Sequence, residues 1–237
     1  MRVLFVAALA MLLLIAAQPP VDGQTGAAAT AKASAPIDIT GYWVAFVTED
    51  WRFRMITPRK GDYQPVPMTP EARKLADAWD PAADEAAGNQ CKAYGAGAIM
   101  RLASRFHITW QDDDTLRVES DYGMQTRLLH FTSASASPGA RTWQGYSKAE
   151  WEKPSSLKVT TSNLRAGYLR KNGVPYSENA VVTEYFDTAP IPGGGQALLV
   201  TAIVDDPQYL RQPFTTSSQF KKEADGSKWD PTPCTAK

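Results

Sequence analysis

Apolar and polar positions along this chain alternate with period two far more often than they recur every three or four residues. Residues 39–47 (ITGYWVAFV) are aromatic and β-branched, a strand composition. Residues 51–56 (WRFRMI) alternate strictly, with Trp51, Phe53 and Met55 on one face and Arg52 and Arg54 on the other. That is the pattern of a half-buried strand, and its basic face is either solvated or lies along a ligand cleft. Residues 105–110 (RFHITW), 115–120 (TLRVES), 125–132 (QTRLLHFT), 156–161 (SLKVTT), 180–186 (AVVTEYF), 197–205 (ALLVTAIVD) and 213–221 (PFTTSSQFK) read as further strands, and 143–152 contains an extended piece. Turn-forming residues separate them: Asp112-Asp113-Asp114, Tyr122-Gly123, 133–139, Asn172-Gly173 within 170–176, and 190–195. Strong helical spacing occurs once, in 69–79 (TPEARKLADAW), where Ala72, Leu75, Ala76 and Trp79 form a stripe. Thr69 caps that helix, Pro70 occupies its first turn and Glu71 complements the dipole. Pro81 ends it, and a short second turn at 82–87 stops at Gly88. The pattern predicts a mainly β, antiparallel domain with one helical excursion near 70–87. Short strands with frequent turns fit a closed barrel, with a two-sheet sandwich as the alternative.

The first residues change the picture. Arg2 precedes an uncharged apolar run at 3–17, which Pro19 and Pro20 interrupt. Val21-Asp22-Gly23 then precedes Gln24. This is the layout of a secretory signal peptide over 1–23. The run is shorter than the roughly 20 residues that a membrane span needs. No cysteine follows it for lipid attachment, so the expected location is the periplasm or the extracellular space. Residues 24–36 are rich in Ala and Thr without apolar period and read as a flexible leader, leaving 37–237 as a single domain. An exported chain with only two cysteines, Cys91 and Cys234, is expected to pair them in an oxidising compartment; the alternative is two free thiols. The tail at 228–234 (KWDPTPC) has no period of its own, so Trp229 and Cys234 are expected to anchor it back over the domain.

Composition excludes several functions. Lys and Arg number 25, as do Asp and Glu, so the net charge is zero and there is no electrostatic footprint for nucleic acid. Two histidines preclude a metal site built on histidine alone. Asp112, Asp113 and Asp114 lack the glycine and distal glutamate of a calcium loop and read as a solvated hairpin tip. Gly193-Gly194-Gly195 is followed by no Lys-Ser/Thr and helix, and no G-x-S-x-G elbow surrounds a serine. Neither a cofactor nor a metal is expected.

Two resemblances add to this reading. Gly41-Tyr42-Trp43 on the first strand resembles the G-x-W element that opens lipocalins, where the Trp packs across the closed end of the barrel. From Cys91 to about Lys221 the chain resembles a family of exported bacterial proteins without assigned function. The carriers are Arg105-Phe106-His107-Ile108-Thr109-Trp110-Gln111-Asp112, Gln125-Thr126-Arg127, Trp143-Gln144-Gly145-Tyr146-Ser147 with Glu150-Trp151-Glu152, Leu157-Lys158-Val159-Thr160-Thr161, residues 177–185, Val204-Asp205-Asp206-Pro207 and Gln212-Pro213-Phe214. Relatives often carry a basic residue where Tyr185 stands. The first resemblance implies a lipocalin-like barrel. The second implies secretion and a β-rich fold, and it supplies no reaction.

Candidate chemistry is sparse. His107 and His130 lie in expected strands, His107 on a face with Arg105 and Thr109, and His130 on a face with Thr126 and Leu128. Glu184 interrupts an apolar run and shares a face with Val182 and Phe186. A carboxylate there needs a partner: either Arg101, Arg105 or Arg127 in an ion pair, or a ligand in a cavity. The expected function is binding of a small, partly apolar or aromatic molecule in the barrel. Trp43 and Trp110 would serve as apolar wall, and Arg105, Arg127 and Tyr185 as polar contacts. The alternative is a cofactor-free lyase, isomerase or hydrolase. It would use His107 or His130 with Glu184 as acid and base, and Arg127 or Tyr185 to hold negative charge. The sequence sets no oligomeric state.

Overall fold

The computed structural model describes residues 29–132, 138–152 and 154–237. The expected signal peptide lies outside the described residues, as does most of the loop expected at 133–139. In chain order the strands are β1 (Gly41–Phe46), β2 (Arg105–Asp112), β3 (Thr115–Ser120), β4 (Tyr122–Gly123), β5 (Gln125–His130), β6 (Tyr146–Glu152), β7 (Ser156–Ser162), β8 (Gly167–Tyr168), β9 (Pro175–Tyr176), β10 (Val181–Pro190), β11 (Gln196–Asp205), β12 (Phe214–Lys222) and β13 (Thr232–Pro233). The helices are α1 (Trp51–Arg54), α2 (Pro70–Asp77) and α3 (Pro81–Ala86).

Nine strands close into a barrel in the order β1-β12-β11-β10-β7-β6-β5-β3-β2, with β2 returning to β1. The antiparallel barrel is thus the architecture, and closure removes the sandwich alternative. One joint departs from the antiparallel rule. β5 and β6 pair in parallel through Leu129↔Ser147 and His130↔Lys148, so these two consecutive barrel strands are not joined as a hairpin. The longest pairing is β10 with β11, ten residues from Val181↔Asp205 to Pro190↔Gln196. β10 therefore extends into the loop expected from Pro190. Gly193, Gly194 and Gly195 turn the hairpin with φ of 86°, 109° and 101°, a left-handed run that side chains with a Cβ resist.

Strand alternation sends one residue of every pair inward. Trp43, Phe106, Ile108, Leu116, Val118, Leu129, Ala149, Leu157, Val159, Phe186, Leu198, Val200 and Phe220 join one buried cluster to which all nine barrel strands contribute. The lumen is therefore a packed core. Trp43 is fully buried in it, and its indole N–H donates to the Ile39 carbonyl at 2.9 Å. A second cluster covers the other end. Met68, Ala72 and Ala76 of the helical excursion meet Leu164, Leu169 and Tyr176 from the β7–β10 connection, together with Val182, Val204 and Phe214 of the barrel.

The helical excursion forms where expected. Thr69 Oγ1 accepts from the Ala72 amide at 3.2 Å to start α2, and Asp80 caps α3. Leu75 departs from the expected stripe and is exposed, while Ala72 and Ala76 are fully buried.

Residues 51–56 correct the sequence reading. They form the single turn α1 and its exit, not a strand. Asp50 takes a left-handed φ of 51°, which Asp tolerates better than most residues. Its carbonyl then accepts from the Phe53 and Arg54 amides at 2.8 and 3.1 Å. The turn breaks up the expected faces, although Phe53 stays half-buried and Arg52 exposed. Trp51, Met55 and Ile56 are exposed and Arg54 is buried.

Residues 29–36 of the expected leader lie against the β2–β3 hairpin tip. The Ala31 amide donates to Asp114 Oδ1 at 2.7 Å, and the Lys32 amide donates to the Asp113 carbonyl at 3.0 Å. The acidic tip thus clasps backbone rather than lying in solvent alone. At the C-terminus, Cys91 and Cys234 form a disulfide. β13 runs parallel to β4, turning an expected featureless tail into a short ladder. Trp229 packs edge-on against Tyr42 and His107.

Candidate functional site

The residues singled out in the sequence do not gather in one place. His107 lies on the outer face of β2, stacked on Tyr42 with ring centroids 4.0 Å apart, and its Nδ1 lies 3.6 Å from Glu119. His130 lies on the outer face of β5, stacked on Tyr146 at 5.2 Å. Burial pushes its pKa down. Glu184 points the opposite way, into the barrel, where it is fully buried. Histidine and carboxylate thus occupy opposite faces of the sheet, and the imagined acid–base pair is not assembled.

Glu184 instead meets Arg127. The Arg127 Nη2 donates to Glu184 Oε2 at 2.6 Å and Nη1 to Oε1 at 3.2 Å. Arg127 Nη2 also donates to Thr161 Oγ1 at 3.0 Å, and Ser147 and Thr161 hydroxyls are 2.8 Å apart. A two-pronged guanidinium–carboxylate pair with hydroxyl support is the arrangement that lets buried charge survive. Of the sequence's three partners for Glu184, the fold selects Arg127.

Arg105 is engaged on the outside, with Nε donating to Glu223 at 2.9 Å. Tyr185 faces outward beside Lys158 on β7. Trp110 is half-buried and packs with Phe131 and Trp151 at the barrel end opposite the helical cap, centroids 5.6 and 6.4 Å away. The Trp151 indole donates to the Ala31 carbonyl at 2.8 Å. These aromatic side chains seal an end of the barrel.

A concavity lies outside the lumen, at the capped end, where β1 ends and β2 and β12 begin. It is a cleft of about 410 Å³ between the 53–57 segment, the 98–103 segment, residues 169–171, Tyr122 and Lys237. Phe53, Met55, Ile56, Leu102, Tyr122 and Leu169 give it apolar and aromatic wall. Its charged lining residues are Arg54, Arg101, Arg170, Lys171 and Lys237, with no Asp or Glu among them.

Three elements deliver the arginines. The α1 turn brings Arg54 inward, and its Nε donates to the Arg101 carbonyl at 2.9 Å. The 3-10 turn Ile99–Arg101 places Arg101 beside it, donating to Asp50 Oδ2 at 3.0 Å. The 170–173 turn places Arg170, whose Nη1 donates to the Gln64 carbonyl at 2.6 Å. Its guanidinium lies 4.1 Å from the Phe53 ring centroid and 6.0 Å from that of Phe214, a cation–π seat. The three arginines are 7%, 6% and 4% exposed. Burial, and then the like charge of Arg101, press the Arg170 pKa down to about 10. Burial lowers that of Arg54, with Glu49 opposing.

Beside the arginines, Lys171 Nζ donates to Tyr122 Oη at 2.8 Å and to Tyr94 Oη at 3.2 Å. Burial raises the Tyr122 pKa, but hydrogen bonds from Lys171 and Tyr94 outweigh it and hold the phenol below its ordinary value.

Sequence reasoning offered a cleft as one fate of the Arg52–Arg54 face, and Arg54 lies along one. It missed Arg170, Lys171 and Tyr122, and named Arg101 only as a partner for Glu184. Arg101 carried a usable signal, since a cation between Ile99-Met100 and Leu102 needs a buried partner. Nothing local marks Lys171 or Tyr122. Comparison with protein-family models and with curated proteins finds no match for this chain.

Proposed function

We propose that this protein binds a small, partly apolar or aromatic molecule, and that it does so in the cleft at the capped end of the barrel. The observation that carries the reading is the contrast between a lumen filled by a nine-strand cluster and a cleft of about 410 Å³ walled by Phe53, Met55, Ile56, Leu102, Tyr122 and Leu169. Small-molecule sites of this size combine apolar wall with polar groups that fix orientation, and this cleft carries cationic lining beside its apolar wall. Two tests apply. Native mass spectrometry of gently extracted protein should show an added mass. Titration with an aromatic ligand panel should change the fluorescence of Trp51, which is exposed on α1 two residues from Phe53. Ala103→Trp, at an exposed lining position, should abolish binding by filling the cleft. Binding that survives this substitution removes the cleft from the reading.

A second reading, acid–base catalysis without a cofactor, is favoured by the Tyr122–Lys171 contact. A phenol with a lowered pKa beside a cationic cleft could take a proton while the arginines hold negative charge. It predicts a rate rising with pH through the Tyr122 ionisation and lost in Tyr122→Phe; an unchanged pH profile in that variant eliminates it.

Export to the periplasm or extracellular space is part of the proposal. It is supported by the disulfide, which persists in oxidising compartments, and by the apolar run at 3–17. N-terminal sequencing of the mature protein should begin at Gln24; recovery of Met1 from the cytosolic fraction counts against export.

A further inference from the structure

We propose that Arg54, Arg101 and Arg170 form an oxyanion-binding subsite in this cleft, so that the ligand is an acid: an apolar or aromatic body carrying a carboxylate, phosphate or sulfate group. The inference rests on the small-molecule reading above and names its ligand class.

The argument begins with accounting for guanidinium hydrogens. Each guanidinium carries five N–H donors in a fixed plane and stays charged at any physiological pH. Arg54 spends Nε on the Arg101 carbonyl and Nη1 on Glu49 at 3.3 Å. Arg101 spends Nη2 on Asp50, and Arg170 spends Nη1 on the Gln64 carbonyl. Arg54 Nη2, Arg101 Nη1, and Arg170 Nε and Nη2 remain, all buried and all without a protein partner among the described residues. These unpartnered donors belong to three side chains that line one cleft.

Charge points the same way. Arg54 and Arg101 have Glu49 and Asp50 as ion-pair partners, both half-exposed, whereas Arg170 has no carboxylate within 4.0 Å among the described residues. The neighbouring Asp62 is paired with Arg52. Lys171 and Lys237 add positive charge to the same lining. If Arg170 served only the cap, it would be expected to find a carboxylate within the fold, as Arg127 finds Glu184. An oxyanion offers two or three acceptor oxygens to donors held in this fork geometry. The Phe53 and Phe214 rings orient the Arg170 plane beforehand, so less freedom is lost on binding.

The test titrates the exported protein with sodium phosphate, phenyl phosphate, benzoate and the neutral counterpart benzamide. Ionic strength is fixed with sodium chloride, and calorimetry and thermal shift are the readouts. Saturable binding of at least one oxyanion is expected, with a raised melting temperature that chloride does not reproduce. Benzoate or phenyl phosphate should bind at least ~10-fold more tightly than benzamide, the gain of charge-assisted hydrogen bonds. Arg170→Gln should lower the oxyanion affinity ~10-fold or more and Arg170→Lys by less, while Arg141→Gln, on the surface, leaves it unchanged. Binding of benzamide as tight as that of both benzoate and phenyl phosphate overturns the subsite and leaves the small-molecule reading standing. Binding of inorganic phosphate with no gain from the phenyl group keeps the subsite and overturns the apolar half of that reading. The absence of oxyanion-specific stabilisation in the unmutated protein overturns the subsite whatever the variants do.

Discussion

Arg127 and Glu184 pose the sharpest question at the scale of single residues. Both are almost fully removed from water, and each is tolerable because of the other. Deleting one side leaves an uncompensated buried charge, whereas deleting both leaves a pair of apolar groups in an apolar barrel. Glu184→Leu is therefore expected to destabilise the protein by about 3–5 kcal/mol. The double variant Arg127→Met/Glu184→Leu should recover most of that loss. Urea denaturation midpoints of the two variants check this, and a double variant as unstable as the single one argues that Arg127 stabilises by contacts independent of charge. The same contrast explains why the cleft arginines stand out. Arg127 spends both terminal nitrogens on acceptors of the fold and leaves only Nε without a partner among the described residues, whereas Arg170, in the lining of the cleft, leaves a terminal nitrogen and Nε.

At the scale of elements, the C-terminal tail shows how a segment without its own period acquires structure. β13 adds two residues in parallel to β4, the Thr232 amide donates to the Asp121 carbonyl at 2.9 Å, and the disulfide to Cys91 closes a span of 143 residues. Neither ladder nor aromatic contact is large, so the covalent tie carries the segment. Closing a loop of that length stabilises by ~3–5 kcal/mol in the chain-entropy picture. Reduction, or Cys91→Ala with Cys234→Ala, should therefore lower the melting temperature by roughly 5–10 °C for a domain of this size. Differential scanning calorimetry with and without reductant measures it, and an unchanged transition contradicts the assignment of stability to the bridge. The tie also matters to the cleft. Thr235 accepts from Lys171 at 3.1 Å, and Lys237 lines the cleft wall, so the bridge holds one side of the site in position.

For the whole molecule, closure distributes stability unevenly around the barrel. β10 and β11 share a ten-residue antiparallel ladder, and β11 pairs with β12 over eight residues. The parallel joint of β5 with β6 has two paired positions. Opening should begin where fewest ladder bonds and buried contacts must break. Amide hydrogen exchange is expected to be slowest in the centre of β10 and β11 and faster along the β5–β6 joint. Uniform protection around all nine strands contradicts this order. The barrel supplies the rim, and the loops and turns laid over it line the cleft.

How much of this was legible in the sequence depended on the range of the forces involved. Period-two alternation specified most of the barrel strands, because which face of a strand is buried is a local property repeated at every second residue. β3 runs from Thr115 to Ser120, the span read from the pattern. Thr69 and Pro70 marked the start of α2 for the same reason, since a cap satisfies amides only a few residues away. Residues 51–56 were misread because a four-residue turn and a short strand both fit WRFRMI. The choice was made by Asp50 in a left-handed conformation and by tertiary seats for Arg54 and Phe53. Glu184 announced that it needed a partner, but the selection of Arg127 required the barrel to close and bring β5 and β10 face to face. The cleft was not legible at all as a unit. Arg54, Arg101 and Arg170 come from three separated segments with no common spacing. They become neighbours only because the cap folds over one end of the barrel and buries all three, Arg101 over Phe214 and Arg170 over Phe53 and Phe214.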